Sequence, residues 1–451
     1  MRKSLLAFLA TAALFAANVK PIPPVKFTDT RLENGLRVII AEDRHAPIYA
    51  IAVSYAVGSK DEKSGRTGFA HLFEHMMFKG SQNVGAGEHF YLIFNNGGSM
   101  NGTTNNDRTL YYEVLPKNQL DLGLFLEADR MRSLAVTREN LENQRQAVKE
   151  ERRMRLDNQP YAKSRERIDE LAYDAFAYKH SVIGSMADLD AATVEDVGAF
   201  FKTYYAPNNA VLALVGDVDT KETLAKVKKY FGDIPKQTPP PGVDFAQPEQ
   251  TAERRETIAD PLARLAQITM AYRIPPASSP DVDALTVMNS ILSGGQSSRL
   301  YQKLVKEKEA AVQAGAFVNG RIGPSLFMVS ATVRPGKTVE EVEKLLDEEI
   351  ARIRTDLVTD AEIQRARVTA RRSAVSGLTS ALNRAIHLAD DAVLYNDPGR
   401  MNTIEQKRAA VTAAQIRDAA QKHLSNTNRT VVITQPAARP PAAAKPKPAA
   451  R

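Results

Sequence analysis

Three observations predict an α+β fold of two similar halves, each a mostly antiparallel sheet with helices packed on one side. The chain has 451 residues, more than one ordinary core organises. Its succession of strand-like and helix-like segments occurs twice, with weak identity between the two occurrences. Between them lies Pro235 to Glu249, which has no regular hydrophobic period and holds the run Pro239-Pro240-Pro241, the composition of a linker.

Residues 25 to 57 alternate apolar and polar around Asn34-Gly35, as in Arg37-Val-Ile-Ile40 and Ile51-Ala-Val-Ser-Tyr55, which predicts antiparallel strands. Leu110 to Leu115 is a further strand, ended by Pro116 before helices over about 119 to 134 and 138 to 157. Val211 to Val215, followed by Gly216-Asp217, closes the first unit. Beyond the linker the pattern predicts a strand at 266–272, a helix near 279–293, strands near 311–318 and 326–334, several helices, and a last strand at 430–434. The expected divisions are a signal peptide at 1–17, a first α+β domain at 18–234, a linker at 235–257, a second α+β domain at 258–434 and a disordered Pro/Ala/Lys tail at 435–451.

The signal peptide is read from Met-Arg-Lys-Ser, an almost wholly apolar Leu5 to Phe15, and the small residues Ala16-Ala17. That stretch is too short to span a bilayer comfortably, and with no cysteine there is neither a disulfide nor a lipid-modified thiol. The expectation is a periplasmic or secreted protein without a stable membrane anchor. The formal charge of +7 includes six basic residues in leader and tail, and without them it is +1, which is no argument for nucleic acid.

The chemistry is concentrated in Gly68-Phe-Ala-His-Leu-Phe-Glu-His-Met-Met-Phe-Lys-Gly80. On a helix, positions i and i+4 share a face, so His71 and His75 can close on one small cation with Glu74 beside them. Zinc takes imidazole nitrogen at about 2.0 to 2.1 Å and in catalytic sites keeps a position for water, so a third protein ligand is needed. The richest source is the predicted helix holding Gln144 to Met154, where Glu150 and Glu151 lie about 100° apart around the axis and only one can face the histidines. The residues alone leave that choice open. His45, His89, His180, His387 and His423 lack such partners and read as structural or exposed, and Arg152 and Arg153 as a solvated face or as support for the site.

These segments resemble the inverted zinc motif of the pitrilysin and insulinase family, the inverzincins, and in particular its half-length, processing-peptidase-like bacterial members. The resemblance also covers Asn34 to Val38, Phe78-Lys-Gly-Ser81, Asn101-Gly-Thr-Thr104 with Asp107 to Tyr112, His180 to Gly184 and Tyr205 to Gly216. It implies a zinc endopeptidase with one Zn2+ per chain. In the family the ligand glutamate follows the second histidine by about 76 residues in a segment shaped like Ala-Val-x-x-Glu. Ala147-Val148 then selects Glu151, with Glu150 as the alternative.

The resemblance assigns Glu74 as general base and proton donor to the leaving amine. It gives Asn101 the backbone of a peptide added as a strand to a sheet edge, the rival being that Asn101 shapes a turn. Gln144 stands where relatives often carry a second, supporting glutamate, a departure that removes one negative charge.

The second half has no His-x-x-Glu-His. Relatives there often supply an arginine and a tyrosine that hold the substrate carbonyl; Arg321 is the candidate arginine, and no tyrosine lies between Tyr301 and Tyr395. Ser293 to Leu300 reads as a structural turn into a helix. A metal-holding half without the tyrosine resembles the catalytic subunit of a two-chain enzyme. This favours a heterodimer over a homodimer, the pair enclosing a chamber for short or unfolded peptides. The alternatives are a non-catalytic structural subunit of this fold and a factor that holds peptide without rapid cleavage.

Overall fold

A computed structural model describes residues 21–437, so the expected signal peptide and residues 438–451 of the tail lie outside the described residues. The first sheet holds β1 (Thr28–Arg31), β2 (Arg37–Glu42), β3 (Ile48–Tyr55), β4 (Ser99–Thr104), β5 (Thr109–Pro116) and β6 (Ala210–Gly216), in the order β1-β2-β6-β3-β5-β4. The second holds β7 (Arg254–Asp260), β8 (Gln267–Ile274), β9 (Ala311–Asn319), β10 (Ser325–Val333) and β11 (Arg429–Pro436), in the order β7-β11-β8-β10-β9.

With β1 set aside, the two sheets have the same connectivity. β2 runs parallel to β6, and the neighbours from β6 to β3, β5 and β4 are antiparallel. β7 runs parallel to β11, and β8, β10 and β9 follow antiparallel. The repeat of element order is thus a repeat of fold.

The helices follow the same rule. The first half carries α1 (Phe69–Met76), α2 (Glu88–Asn95), α3 (Leu120–Ser133), α4 (Arg138–Arg152, continued by a π-helical turn at Arg153–Asp157), α5 (Ala162–Ala172), α6 (Met186–Ala191), α7 (Val194–Tyr204) and α8 (Thr220–Phe231). The second carries α9 (Pro280–Ser293), α10 (Val339–Thr355), α11 (Asp360–Gly377), α12 (Ala381–Tyr395), α13 (Arg400–Ala409) and α14 (Ala413–His423). By chain order, α9 stands where α1 stands, α11 where α4 stands, and α12 where α5 stands.

Each half lays its own helices on one face of its sheet, and the opposite half supplies a helix for the other face. β6 is buried along its whole length, so it needs cover on both sides. Leu212 and Leu214 pack into the core that includes Leu72, Phe73 and Met76 of α1. Val211, Ala213 and Val215 instead meet Ala385, Leu388, Ala389 and Ala392 of α12, from the second half. Reciprocally, Ile168 and Ala172 of α5 pack on Ala271, Leu326, Met328 and Val432 of the second sheet. The small residues along α12 let it lie close to strands whose own side chains there are short.

Arg321 belongs to this joint, which corrects the substrate-holding role expected of it. Its side chain is 2% exposed, its guanidinium meets both carboxylate oxygens of Asp169 at 3.0 Å, and it lies between the rings of Tyr173 and Tyr178, 4.8 and 4.6 Å from their centroids. Asp107 completes the seam: Tyr178 Oη donates to it at 2.6 Å and the Ile322 amide at 3.0 Å. With its two faces under tyrosine rings and its side chain sealed from solvent, this guanidinium is out of reach of a substrate carbonyl, although Nε and Nη1 have no partner.

Residues 235–253 contain no helix or strand, but they are held in place. Phe245 stacks on Tyr178 with centroids 5.2 Å apart, and the Asp174 amide donates to Gln247 at 2.7 Å. Parallel pairing with β11 draws Arg254 to Thr257 into β7, so the linker is shorter than the expected 235–257. The same ladder includes Gln435 and Pro436, which the sequence had assigned to the tail.

Candidate metal centre

The centre is built on α1, whose sequence divides cleanly. Phe69, Ala70, Leu72, Phe73 and Met76 are buried, while His71, Glu74 and His75 are half-buried on the remaining face. Its start is fixed by a close approach of two glycines. Gly68 and Gly184 have φ of +87° and +75°, and a Cβ on Gly184 would fall 2.3 Å from Thr67 O and 2.5 Å from Gly68 Cα. This lets the 180–184 segment named by resemblance close on the helix. Glu62 then receives the Gly68 and Ala70 amides at 2.8 Å each, placing a carboxylate at the helix start.

Of the two candidate carboxylates on α4, Glu151 turns to the histidines. Its Oε2 lies 3.5 Å from His71 Nε2 and 3.2 Å from His75 Nε2. Glu150 is exposed and pairs with Arg153 at 2.9 Å. Tetrahedral zinc bonds of about 2.05 Å leave neighbouring ligand atoms about 3.3 Å apart. Glu151 therefore sits at the separation from each imidazole that one such ion requires, and two nitrogens with one carboxylate are a zinc donor set.

The electrostatics fit a cation. Burial, then His75, depresses the His71 imidazole to about 4, so it is a neutral ligand at physiological pH. Glu151 is held below the usual carboxylate range, first by its hydrogen bond with His75 and despite burial. Its other oxygen meets Arg155 at 2.9 Å. Glu74 is displaced upward by burial, and its Oε2 accepts from Thr104 Oγ1 at 2.5 Å. Thr104 was legible only as part of the Asn101-Gly-Thr-Thr104 resemblance, and Glu62 and Arg155 carried no signal at all.

β4 is one of the two edge strands of the first sheet and passes over Glu74. A Cβ on Gly102 would stand 3.0 Å from Glu74 Cγ and 3.3 Å from Phe78 Cε2, so any larger residue there would press on both side chains. Asn101 is an exposed member of that strand, paired with Tyr112, and its Oδ1 accepts the Gly102 amide at 2.8 Å. It is thus in a strand rather than in a turn. Gln144 is buried seven residues before Glu151, but its amide donates to Asn143 at 2.6 Å. His71 Nδ1 is buried without a partner, so the support expected from Gln144 is not made in this geometry. Arg152 brackets Glu166 and donates to Gly184 O at 2.6 Å, a structural tie.

A second group, His89, Glu113 and Glu127, has metal-binding residue types but already holds a cation. Arg130 pairs with Glu127, His89 Nε2 lies 2.6 Å from Glu113, and burial lifts both glutamates to about 7. All four side chains are almost fully buried, with Arg130 seated 4.5 Å over the Tyr111 ring.

The two α+β halves, one carrying a His-x-x-Glu-His helix faced by a glutamate, present a donor set suited to zinc. Residues 37–185 match the family described as insulinase (peptidase family M16), and residues 191–369 match the peptidase M16 inactive domain. The chain belongs to the M16 family. It is similar to the zinc protease PqqE of Helicobacter pylori, 28% identical over 416 residues that cover 91% of this chain and 93% of that one. A crystal structure described as a protease from Helicobacter pylori superposes with a TM-score of 0.87 at 29% identity, covering 92% of this chain and all of that one. The periplasmic protease PqqL of Escherichia coli shares the fold, with a TM-score of 0.75 at 18% identity over 92% of this chain and 48% of that one. The match to the inactive-domain family falls mainly on the second half, where α9 replaces the metal helix by an apolar one.

Proposed function

We propose that this chain is a zinc-dependent endopeptidase, exported to the periplasm or secreted, that hydrolyses short or unfolded peptides inside a chamber formed with a second, homologous subunit. The carrying observation is the position of Glu74, which shares a helix face with His71 and His75 and lies beneath the outer strand β4. His71, His75 and Glu151 would hold the metal. A zinc ion bound there would supply Lewis acidity that lowers the pKa of water toward about 7 and polarises a carbonyl.

Peptide adds to the free edge of β4, where main-chain hydrogen bonds give affinity with little sequence reading. Asn101 Oδ1, now on the Gly102 amide, is the group that must yield or share when a peptide backbone arrives. Glu74 takes the water's proton and returns one to the leaving amine. Thr104 fixes which carboxylate oxygen is free to do so. Half-buried beneath β4, Glu74 has a basicity raised toward that task.

The test is metal analysis followed by digestion of a quenched peptide mixture, with and without chelator, for the wild type and Glu74→Gln. Stoichiometric zinc in both proteins, with turnover confined to the wild type, is expected. Wild-type turnover by zinc-loaded Glu74→Gln would remove the role given to Glu74. A second reading, a peptide-holding subunit without rapid turnover, is favoured by one observation: Arg321 is enclosed by Asp169, Tyr173 and Tyr178. A homologous partner that supplies an arginine and a tyrosine raises the wild-type turnover in the first reading and leaves the second unchanged.

A further inference from the structure

Arg152, Arg153 and Arg155 follow the glutamate pair of α4, and each finds a different partner. Arg152 holds Glu166 and Gly184 O, and Arg153 returns to the exposed Glu150. Arg155 reaches the prospective metal ligand, its Nη1 lying 2.9 Å from Glu151 Oε1. The arginine side chain is 76% exposed and that of Glu151 is 14% exposed, so the contact is made from the solvent side of the centre. An ion pair this open adds little to folding, and what it can do is orient the carboxylate.

The backbone favours the contact. Two residues after Glu151 the α-helix gives way to the π-helical turn Arg153–Asp157, closed by the Asn158 amide on Arg153 O at 2.8 Å, an i to i+5 bond. In an unbroken α-helix the fourth residue on overshoots the starting face by about 40°. A wider turn takes more residues to come round, so Arg155 loses that overshoot and stands over Glu151.

The two oxygens of Glu151 are thereby given separate tasks. Oε2 faces the imidazoles, 3.5 Å from His71 Nε2 and 3.2 Å from His75 Nε2, while Oε1 is turned to Arg155. A carboxylate that can rotate is able to give one cation either one oxygen or both. Giving both would crowd the position that catalytic zinc keeps for water. Steadying from the other side of α4 is missing, because Gln144 donates to Asn143 and His71 Nδ1 has no partner.

We infer that Arg155 is a positioning residue that restricts Glu151 to ligation through one oxygen and so keeps the fourth position of the metal open. This rests on the zinc-peptidase reading above and adds the residue that sets the coordination number.

The experiment loads the full chain with cobalt(II) in place of zinc and compares the wild type with Arg155→Met and Arg155→Lys. The three proteins are matched for cobalt content and for the melting temperature of their metal-free forms. Four-coordinate cobalt absorbs visible light far more strongly than five- or six-coordinate cobalt, because a tetrahedral field has no centre of symmetry. The wild type is expected to give the intense four-coordinate spectrum, and Arg155→Met to lose it several-fold as the released Oε1 joins the metal. Arg155→Lys is expected to keep it, since one cationic nitrogen beside Oε1 is enough. A wild-type spectrum in Arg155→Met, an equal loss in Arg155→Lys, or a weak spectrum of higher coordination in the wild type itself overturns the inference. The spectra need no substrate, so the two readings fail separately. A wild type that shows four-coordinate cobalt yet cleaves no peptide when reloaded with zinc loses the endopeptidase reading, and the Met variant still decides the role of Arg155.

Discussion

Glu150 and Glu151 are adjacent, chemically identical and separated only by their angle around α4, so the pair gives a controlled test of the metal centre. Glu151→Gln keeps volume and removes the charge from the oxygen that lies 3.2 and 3.5 Å from the two imidazoles. Zinc sites bind with about 10 to 16 kcal/mol shared over three or four protein ligands, so one ligand accounts for roughly 3 to 4 kcal/mol. At about 1.4 kcal/mol per decade, Glu151→Gln should weaken zinc binding by some two to three orders of magnitude. Glu150→Gln removes only a surface pair with Arg153, both side chains being about half exposed, a contact worth about 0 to 1 kcal/mol that does not involve the metal. The assay is competition for zinc against a chromophoric chelator at fixed pH, with melting of both metal-free proteins as the control for folding. Retained zinc affinity in Glu151→Gln together with its loss in Glu150→Gln would refute the geometry on which the mechanism stands.

Two further outcomes follow from buried groups. Gln144→Glu restores a charge on the face of α4 that carries Glu151, and it should raise zinc affinity by roughly tenfold in the same competition assay. Burial, opposed by Arg400, lifts Asp391 to about 7 against 3.8 for an ordinary aspartate. The folded state therefore prefers the protonated acid, and the stability this gives is complete below pH 3.8 and lost as pH rises through 7. Asp391→Asn should then melt above the wild type at pH 8, with the difference shrinking toward pH 4; a constant difference across that range rejects the assignment.

Most of the strands and the two long helices before Asp157 were legible from their periods, the metal helix from its motif, and the third ligand because a resemblance broke a tie that angle alone could not. What was not legible depends on contacts between distant segments. Nothing in the amphipathic patterns of α5 and α12 tells which sheet each covers, since an apolar stripe specifies burial and not the partner. Arg321 read as a substrate contact because its neighbours Asp169, Tyr173 and Tyr178 lie some 150 residues away in the other half. β4 was hidden by Gly102 and the polar residues around it, the composition of a turn, although it is at Gly102 that the strand passes over Glu74.

The shared connectivity also locates the asymmetry of the molecule. In the second half α9 stands at the position of the metal helix and presents Val282, Leu285, Met288, Ile291 and Leu292 to its core. α11, at the position of the glutamate helix, buries only Ile363 and Ala366. The fold therefore does not by itself create the candidate metal centre; three side chains on two of its helices make it up. The second half contributes through α12, whose Ala389 and Leu388 close the far face of the sheet carrying β4, and whose Asp390 binds Arg108 at 3.0 Å, while Arg108 donates to Thr103 O at 2.8 Å. That chain of contacts reaches the strand above Glu74, so the half without a metal motif fixes the height of the edge on which a peptide would be presented.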